Sequence, residues 1–381
     1  MGAIPGPPNA IAARREELVR AGIELTDLTD TNPTRHGLFD PGILEILGDH
    51  QSRTGRYDPT PRGPWSARAA LADRFGGDPE DYWLTGSTSQ AYSWLFTLLA
   101  DPGCAVAVPT PGYPLIEPLA GFHHLDAVPY RTFYAHPTGW ELDATSLVET
   151  LADKRVRALV AVNPNNPTGA YTEQAIAALA EREDVPLIAD EVFFPFRLPD
   201  PATTTPQRLS GDDSVLTFGL DGLSKLLAAP QLKLAWIRLS GPTRLTGQAA
   251  QALDQIADAY LPVSSAVASA LPDLLTLADS TIARVCARTG ANLAIARRVF
   301  HDLRVRTAQG GWMMLLDVPH LMDADSLCVA LMDRAGLAVH PGYFYDLPDS
   351  TLALSLLPDT AVFEEACVRL AAALAVFASE R

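Results

Sequence analysis

The chain has 381 residues, of which 48% are hydrophobic and 19% are charged. This length supports one large or two medium domains, with a core that needs no disulfide or metal to hold it together. The net charge of -16 and the pI near 4.8 disfavour a nucleic-acid partner, because an acidic surface repels phosphate backbones.

The four cysteines are scattered and form no Cys-X-X-Cys pair. This spacing disfavours a disulfide framework and a zinc site, and it favours buried thiols in a reducing compartment. No basic, apolar and small-residue signal opens the chain, and the apolar runs are too short or too interrupted to span a bilayer. We therefore expect a soluble cytoplasmic protein with no metal and no membrane partner.

The predicted elements begin with helices at residues 10–20 and 65–75, and short apolar strands then alternate with helical segments. The strands are predicted at residues 105–108, 159–162, 186–189, 215–218 and 232–239. The helices between and after them are predicted at 91–99, 142–152, 173–182 (with Thr172 as N-cap) and 243–260. Continuous apolar strands separated by helices predict an α/β fold, with a mostly parallel sheet covered by helices on both faces.

The C-terminal part is predicted to form a smaller α+β domain, which the N-terminal segment completes. A long helix at residues 279–303 precedes strands and helices at 311–318, 326–335, 337–340, 351–356 and 361–377. The predicted boundaries are 1–48 for the N-terminal arm and part of the small domain, 49–280 for the large domain, and 281–381 for the interdomain helix and the small domain.

Polar motifs follow three of the predicted strands, at the ends where parallel sheets bind their ligands. Residues 163–169 read NPNNPTG, residues 190–193 read DEVF, and residues 219–225 read GLDGLSK. In the last motif, Lys225 follows a Gly-rich turn. A Lys amine held where a sheet opens can form an imine with a carbonyl. A solvated loop lysine is the alternative, and the other two motifs count against it.

Asp190 and Asn166 suit the polar atoms of a pyridine ring. An anion at the end of a buried strand keeps a pyridine nitrogen protonated and makes the ring an electron sink. Asn166 lies in a turn that prolines restrain, and its amide could donate to a ring oxygen. A helix cap or salt bridge for Asp190, and an ordinary turn for Asn166, are the alternatives.

Ser87 and Thr88 precede a predicted helix, where backbone N–H groups and hydroxyls make an anion site. Lys233 would add a point charge to the same phosphate, and Tyr113 could stack on a flat ring. Taken alone, a plain N-cap and a loop aromatic packing locally are the simpler interpretations. Taken together, the motifs predict a pocket for a phosphorylated pyridine aldehyde.

The chain resembles the fold-type I pyridoxal-phosphate enzymes, specifically the class I/II aminotransferases, through the NNPTG, DEV and SK elements in this order. The resemblance implies that Lys225 binds the cofactor as an imine and shuttles the proton. It also implies that Asp190 pairs with the pyridine nitrogen and Asn166 with the ring oxygen. The remaining cofactor contacts implied are Tyr113, Ser87, Thr88, Ser224, Lys233 and Phe193.

Two further features follow from the resemblance. Tyr57 matches an aromatic residue that reaches across a dimer interface to the phosphate, which implies a homodimer with shared active sites. Phe193 stands where the family commonly has Tyr, Gly222 where it has Ser, and Lys233 where it has Arg. The phosphate site therefore has fewer donors than usual, and Ser224 is the expected compensation.

The largest departure is Ala353, which stands where the family has its carboxylate-binding Arg. Ala cannot form a bidentate clamp on a carboxylate. Arg35, on the N-terminal loop, is the candidate replacement, and a plain surface Arg is the alternative. Asn166 and Tyr343 are the other expected substrate contacts.

The resemblance implies an aminotransferase that moves an amino group between an amino acid and a 2-keto acid. The missing Arg motivates an alternative, a lyase, cyclase or oxidase that uses the same cofactor on an unusual amino acid in secondary metabolism. A ligand-sensing part of a regulator ranks last, because the charge is acidic and no DNA-binding segment is recognised ahead of the motifs.

Overall fold

A computed structural model describes residues 9–51, 55, 59–199 and 206–380. In this part of the chain the helices are α1 (Ala10–Arg20), α2 (Gly42–Gln51), α3 (Trp65–Phe75), α4 (Thr88–Leu99), α5 (Ile116–Phe122), α6 (Ala144–Leu151), α7 (Ala175–Arg182), α8 (Leu223–Leu226), α9 (Thr243–Tyr260), α10 (Ser265–Leu274), α11 (Ala278–Val299), α12 (Ala324–Ala335) and α13 (Thr360–Ser379). The strands are β1 (Thr26–Asp27), β2 (Tyr82–Thr85), β3 (Ala105–Thr110), β4 (Asp126–Ala135), β5 (Gly139–Leu142), β6 (Val156–Val162), β7 (Leu187–Asp190), β8 (Thr217–Gly222), β9 (Ala235–Ser240), β10 (Arg304–Val305), β11 (Met313–Asp317), β12 (Leu337–Ala338), β13 (His340–Pro341) and β14 (Thr351–Ser355).

The packing of the described residues divides the chain into two units. The large unit comprises Pro33–Cys286 and Ala308–Gly311, and the small unit comprises Met1–Asn32, Ala287–Thr307 and Trp312–Arg381. The domain boundaries inferred from the sequence stay predictions. Among the described helices, none combines the length and the apolar character needed to cross a membrane.

The large unit is built on an eight-stranded sheet in the order β2-β9-β8-β7-β6-β3-β4-β5. The central pairs are parallel, and β2 and β9 at one edge and β5 at the other pair in antiparallel fashion. Helices α4, α5 and α9 bury one face, while α6 and α7 bury the other. The prediction of a mostly parallel sheet with helices on both faces is confirmed.

The end of β8 differs from the sequence prediction, which ended the strand at residue 218 and placed a Gly-rich turn after it. The strand continues to Gly222, and Lys225 lies on the short helix α8 that follows directly. Gly219 allows the segment at Ser210 to pack closely on β8, and Gly222 allows β9 to do so at Ala235. A Cβ on Gly219 would lie 2.3 Å from the Cβ of Ser210, and one on Gly222 would lie 2.8 Å from the Cβ of Ala235.

Other element boundaries also shift. Helix α7 begins at Ala175, two residues later than expected, and Thr172 is not its cap because its hydroxyl donates to the carbonyl of Val162. Strand β9 begins at Ala235 because Lys233 adopts a left-handed conformation after a 3₁₀ turn. The predicted helices at residues 10–20, 65–75 and 243–260 are confirmed with those bounds.

The small unit has a four-stranded antiparallel sheet in the order β10-β11-β14-β13 and a two-stranded parallel pair of β1 and β12. Helices α1, α12 and α13 belong to this unit, which is therefore α+β as predicted. Ala353 lies on β14, is fully buried, and pairs directly with His340 of β13.

Candidate active site

Lys225 lies one turn past the end of β8 and is partly buried. Its Nζ is 5.4 Å from the centroid of the Phe193 ring. Burial lowers the pKa of the Lys225 amine, and the charge of Asp190 partly opposes this change. The arrangement favours a neutral, nucleophilic amine closer to neutral pH than an exposed lysine would allow.

Asp190 is the last residue of β7, and its side chain is held by two donors. Its Oδ1 accepts from the Val192 N–H at 3.3 Å, and its Oδ2 accepts from the Tyr92 hydroxyl at 3.0 Å. Burial raises the pKa of Asp190 to about 6, while these hydrogen bonds and the charge of Lys225 act in the opposite direction. The structure therefore brings Asp190 and Lys225 into electrostatic contact, as the strand-end argument predicted.

Tyr92 is a functional residue that sequence reasoning missed. It lies on α4, one helical turn after Thr88, and its side chain is almost fully buried. The spacing puts Tyr92 on the same helix face as Thr88, which was the available signal. Its partner Asp190 is 98 residues away in sequence, so that pairing could not be read from a local pattern.

The turn at residues 163–169 uses two of its three asparagines for structure. The Asn163 amide donates to Glu191 Oε1 at 3.2 Å, and the Asn165 amide donates to the Pro111 carbonyl at 3.2 Å. The third side chain differs, because the buried Oδ1 of Asn166 has no hydrogen-bond partner. A buried polar atom without a partner is costly unless a ligand satisfies it, so Asn166 is suited to ligand binding.

The predicted phosphate site lies at the start of α4. Ser87 is the N-cap, and its Oγ accepts from the Gln90 N–H at 3.1 Å. Thr88 begins the helix. The exposed Lys233 borders this helix start, since its carbonyl oxygen is 4.0 Å from the position of a Cβ on Gly86. An N-terminal helix end and two hydroxyls suit an anion.

Tyr113 follows β3 and leaves 45% of its surface exposed. The pKa of its phenol is raised by burial and, to a smaller extent, by the charge of Asp190. The Tyr113 phenol therefore lies within electrostatic range of the Asp190 carboxyl. Phe193 is 9% exposed and Ser224 is partly buried.

Of the three remaining predicted residues, one belongs to each unit and one lies outside the described residues. Arg35 is exposed on a 3₁₀ turn of the large unit. Tyr343 belongs to the small unit, where its hydroxyl donates to Asp325 Oδ1 at 2.6 Å. Tyr57 lies outside the described residues. The roles of these residues stay predictions.

The side chains fit a phosphorylated pyridine aldehyde. Lys225 offers an amine whose pKa is lowered, Asp190 a half-buried acid that interacts with it electrostatically, and Asn166 a buried amide oxygen that lacks a donor. The start of α4 offers donors for a phosphate. Among the described residues, no group of three or more His, Cys, Asp or Glu side chains is arranged to hold a metal ion.

Residues 44–370 match the family model described as aminotransferase class I and II. Because this match covers most of the chain, the protein belongs to that family.

Among similar proteins, nicotianamine aminotransferase 1 of Oryza sativa subsp. japonica is 33% identical over 205 residues, which cover 50% of this chain and 40% of the relative. The S-alkyl-thiohydroximate lyase SUR1 of Arabidopsis thaliana is 31% identical over 253 residues, covering 63% of this chain and 53% of the relative. The chain thus spans about half the length of these curated relatives.

Solved structures show the same fold. An alanine aminotransferase from Pyrococcus furiosus has a TM-score of 0.84 at 21% identity, covering 97% of this chain and 96% of that one. A Thermus thermophilus aspartate aminotransferase double mutant also has a TM-score of 0.84, at 22% identity, covering 98% of this chain and 97% of the other. At these identities the likeness establishes the fold alone.

Proposed function

We propose that the protein is a pyridoxal 5'-phosphate-dependent aminotransferase that moves an amino group between an amino acid and a 2-keto acid. The observation that carries the proposal is the Lys225 amine, whose pKa burial lowers and which interacts electrostatically with the half-buried carboxyl of Asp190. Family membership supports the same reaction class.

When bound, pyridoxal phosphate supplies an electron sink for the charge that develops at the substrate Cα as its proton leaves. Asp190 would hold a proton at the pyridine nitrogen, and Tyr92 fixes the orientation of that carboxyl. The Asn166 amide would donate to the ring oxygen. Lys225 Nζ would hold the aldehyde carbon and, once released from it, would hold and move the proton taken from the substrate Cα.

The other cofactor residues bind and orient without taking part in proton transfer. Tyr113 would cover one face of the ring, and Phe193 contributes an apolar wall near Lys225. The phosphate is proposed to lie at the start of α4, bound by Ser87, Thr88, Ser224 and Lys233. This placement is supported by the capped helix start and by the backbone of Lys233 beside Gly86.

The substrate carboxylate requires a different partner from the usual Arg, because Ala353 is small and fully buried. We assign that role to Arg35, with Tyr343 as a further substrate contact. An Arg35→Ala variant is expected to raise the KM for the amino donor, while Arg244→Ala, which removes an exposed cation on α9, leaves it unchanged. Equal KM values for the two variants would reject the carboxylate role.

A lyase acting on an unusual amino acid is the second candidate. The buried Ala353 in the place of the usual clamp and the resemblance to a plant S-alkyl-thiohydroximate lyase favour it.

A homodimer with shared sites is also proposed, on the family resemblance and on Tyr57 in particular. Sedimentation equilibrium tests it, and a monomer that retains full activity would contradict it. The cytoplasmic location stays a prediction.

The two reactions differ in what happens to the nitrogen. Purified protein loaded with pyridoxal phosphate is mixed with single amino acids, and the cofactor absorbance and the products are followed. An aminotransferase converts the cofactor to pyridoxamine phosphate and releases one 2-keto acid per site, without free ammonia. Release of ammonia or a cleaved side chain with the cofactor returned unchanged would favour the lyase.

A further inference from the structure

Glu191 directly follows Asp190 and is 1% exposed. Its carboxylate accepts four hydrogen bonds from two segments of the large unit, the turn at Asn163 and the consecutive residues 208–210. The Asn163 amide donates at 3.2 Å, Arg208 Nη1 at 3.1 Å and the Leu209 N–H at 2.7 Å, and the Ser210 hydroxyl also donates. A buried carboxylate with this many donors ties together the backbone segments that supply them.

Arg208 connects this carboxylate to a second one. Its Nη1 binds Glu191, and its Nη2 donates to Asp221 Oδ2 at 3.2 Å. The guanidinium carbon lies 4.5 Å from the centroid of the Phe194 ring and 5.2 Å from that of Phe75. A planar guanidinium that binds an acid at each end and contacts aromatic rings has a fixed orientation.

The two acids lie at the ends of neighbouring strands. Glu191 follows the last residue of β7, and Asp221 precedes the last residue of β8, four positions before Lys225. In the parallel pairing of these strands, Asp190 is opposite Leu220. Because successive residues of a strand point to opposite faces, Asp221 and Asp190 face opposite sides of the sheet. Glu191, Arg208 and Asp221 therefore link the two strand ends from the side opposite Asp190.

The network holds a single cation between two buried acids. Burial raises the pKa of Asp221 to about 7, while the charge of Arg208 opposes that rise. One guanidinium serves two buried carboxylates, so its loss would leave both without a counter-charge. Sequence reasoning gave no role to Arg208, which lies 13 residues before Asp221 and belongs to none of the cofactor motifs.

We propose that Glu191, Arg208 and Asp221 form a buried clamp that sets the position of Lys225 relative to Asp190, with Arg208 as a positioning residue. The clamp holds the end of β7 against the end of β8, and through Asn163 it also holds the turn that carries Asn166. That the clamp serves to position Lys225 rests on the proposed function, in which Lys225 is the reactive lysine.

The test compares Arg208→Met and Arg208→Lys with a matched control, Arg62→Met. Arg62 has a similar side-chain exposure, 19% against 21%, and pairs with Asp254 in the same unit, away from the strand ends. Each apoprotein is treated with an amine-acetylating reagent over a range of pH. Acetylation of Lys225 is then measured by peptide mass spectrometry relative to the exposed Lys154.

In the wild type, the Lys225 midpoint should lie below the pKa of an ordinary lysine, because burial lowers the pKa of its amine. Loss of Arg208 should move the Lys225 midpoint upward by about one pH unit, because a looser strand end admits water to the amine. Arg208→Lys should be shifted as well, since an ammonium cannot bridge both carboxylates. In the loaded enzyme kcat should fall about 100-fold for Arg208→Met, with a smaller change in KM. Arg62→Met should lower thermal stability without moving the Lys225 midpoint.

An unchanged Lys225 midpoint in Arg208→Met, or a wild-type midpoint in Arg208→Lys, would overturn the clamp. If Arg208→Met does not fold, Asp221→Asn also removes one end of the bridge. Because loss of a negative charge alone would lower the Lys225 midpoint, an upward shift in this variant reports the looser strand end, and an unmoved or lowered midpoint overturns the clamp. The acetylation readout needs no cofactor. A wild type that binds no pyridoxal phosphate therefore rejects the proposed function alone, while an unmoved midpoint rejects the clamp alone.

Discussion

Removing the Tyr92 hydroxyl should destabilise the apoprotein in a pH-dependent way. In Tyr92→Phe, Asp190 loses the donor that binds its Oδ2 at 3.0 Å, while the aromatic ring stays. A buried hydrogen bond to a charged acceptor contributes about 1.5–3 kcal/mol, and one to a neutral acceptor about 0.5–1.5 kcal/mol. Tyr92→Phe should therefore lose more folding stability when Asp190 is ionised than when it is protonated.

How the folding stability changes with pH follows from the pKa of Asp190, which burial raises from 3.8 to about 6. A carboxyl whose pKa is higher in the folded state is most favourable to folding below its unfolded pKa, and stability falls as the pH rises through the folded value. The hydroxyl limits that fall because it binds the ionised form. Tyr92→Phe should lose about 1.5–3 kcal/mol at pH 8 and about half of that at pH 4.5.

The assay is urea unfolding of the apoprotein at both pH values, followed by tryptophan fluorescence. Tyr130→Phe is the matched control, because the Tyr130 hydroxyl is equally buried but donates to the Val160 carbonyl at 2.9 Å, which does not titrate. Its loss should be about 1 kcal/mol at either pH. The reasoning is refuted if the two variants show the same pH dependence, or if Tyr92→Phe loses more at pH 4.5 than at pH 8.

Three further outcomes are expected in the same unit. Gly222→Ala should lower the free energy of unfolding in urea by about 1–3 kcal/mol, because its Cβ would lie 2.8 Å from that of Ala235. Unchanged stability would show that β8 and β9 can move apart to accommodate the added methyl group. Ser87→Ala should cost about 1 kcal/mol through loss of the α4 cap, and it should also weaken pyridoxal phosphate binding in equilibrium titrations. Lys233→Ala should weaken binding of pyridoxal phosphate but not of pyridoxal, and equal effects on both would remove Lys233 from the phosphate site.

The positions of Lys225 and Asp190 were predictable because parallel strands bring their carboxyl ends to one edge of a sheet. Each motif lies immediately after an apolar run that predicts a strand. The motifs therefore fall at the strand ends, where a parallel sheet is expected to bind its ligand. The glycines at 219 and 222 were misinterpreted as a turn. Their actual cause, close approach of Ser210 and Ala235, is a contact between separate segments that a single strand does not reveal.

Elements with weak or interrupted apolar patterns were missed. Strand β4 has only one buried residue, Tyr130, and contains Pro129, so it has little of the apolar signal that identifies a buried strand. Helix α10 contains Pro272, which normally indicates the end of a helix. In the site, Tyr92 and Arg208 were missed because their roles depend on partners that lie outside their own segments.

The central claim is that Lys225 binds the cofactor aldehyde, and one measurement tests it directly. The chain has three lysines, Lys154, Lys225 and Lys233, so borohydride reduction after pyridoxal phosphate binding, followed by peptide mass spectrometry, distinguishes every candidate. The account predicts one reduced cofactor per chain, attached to Lys225 and lost in Lys225→Ala. A label on Lys154 or Lys233 alone, or a label that persists at full yield in Lys225→Ala, would contradict it.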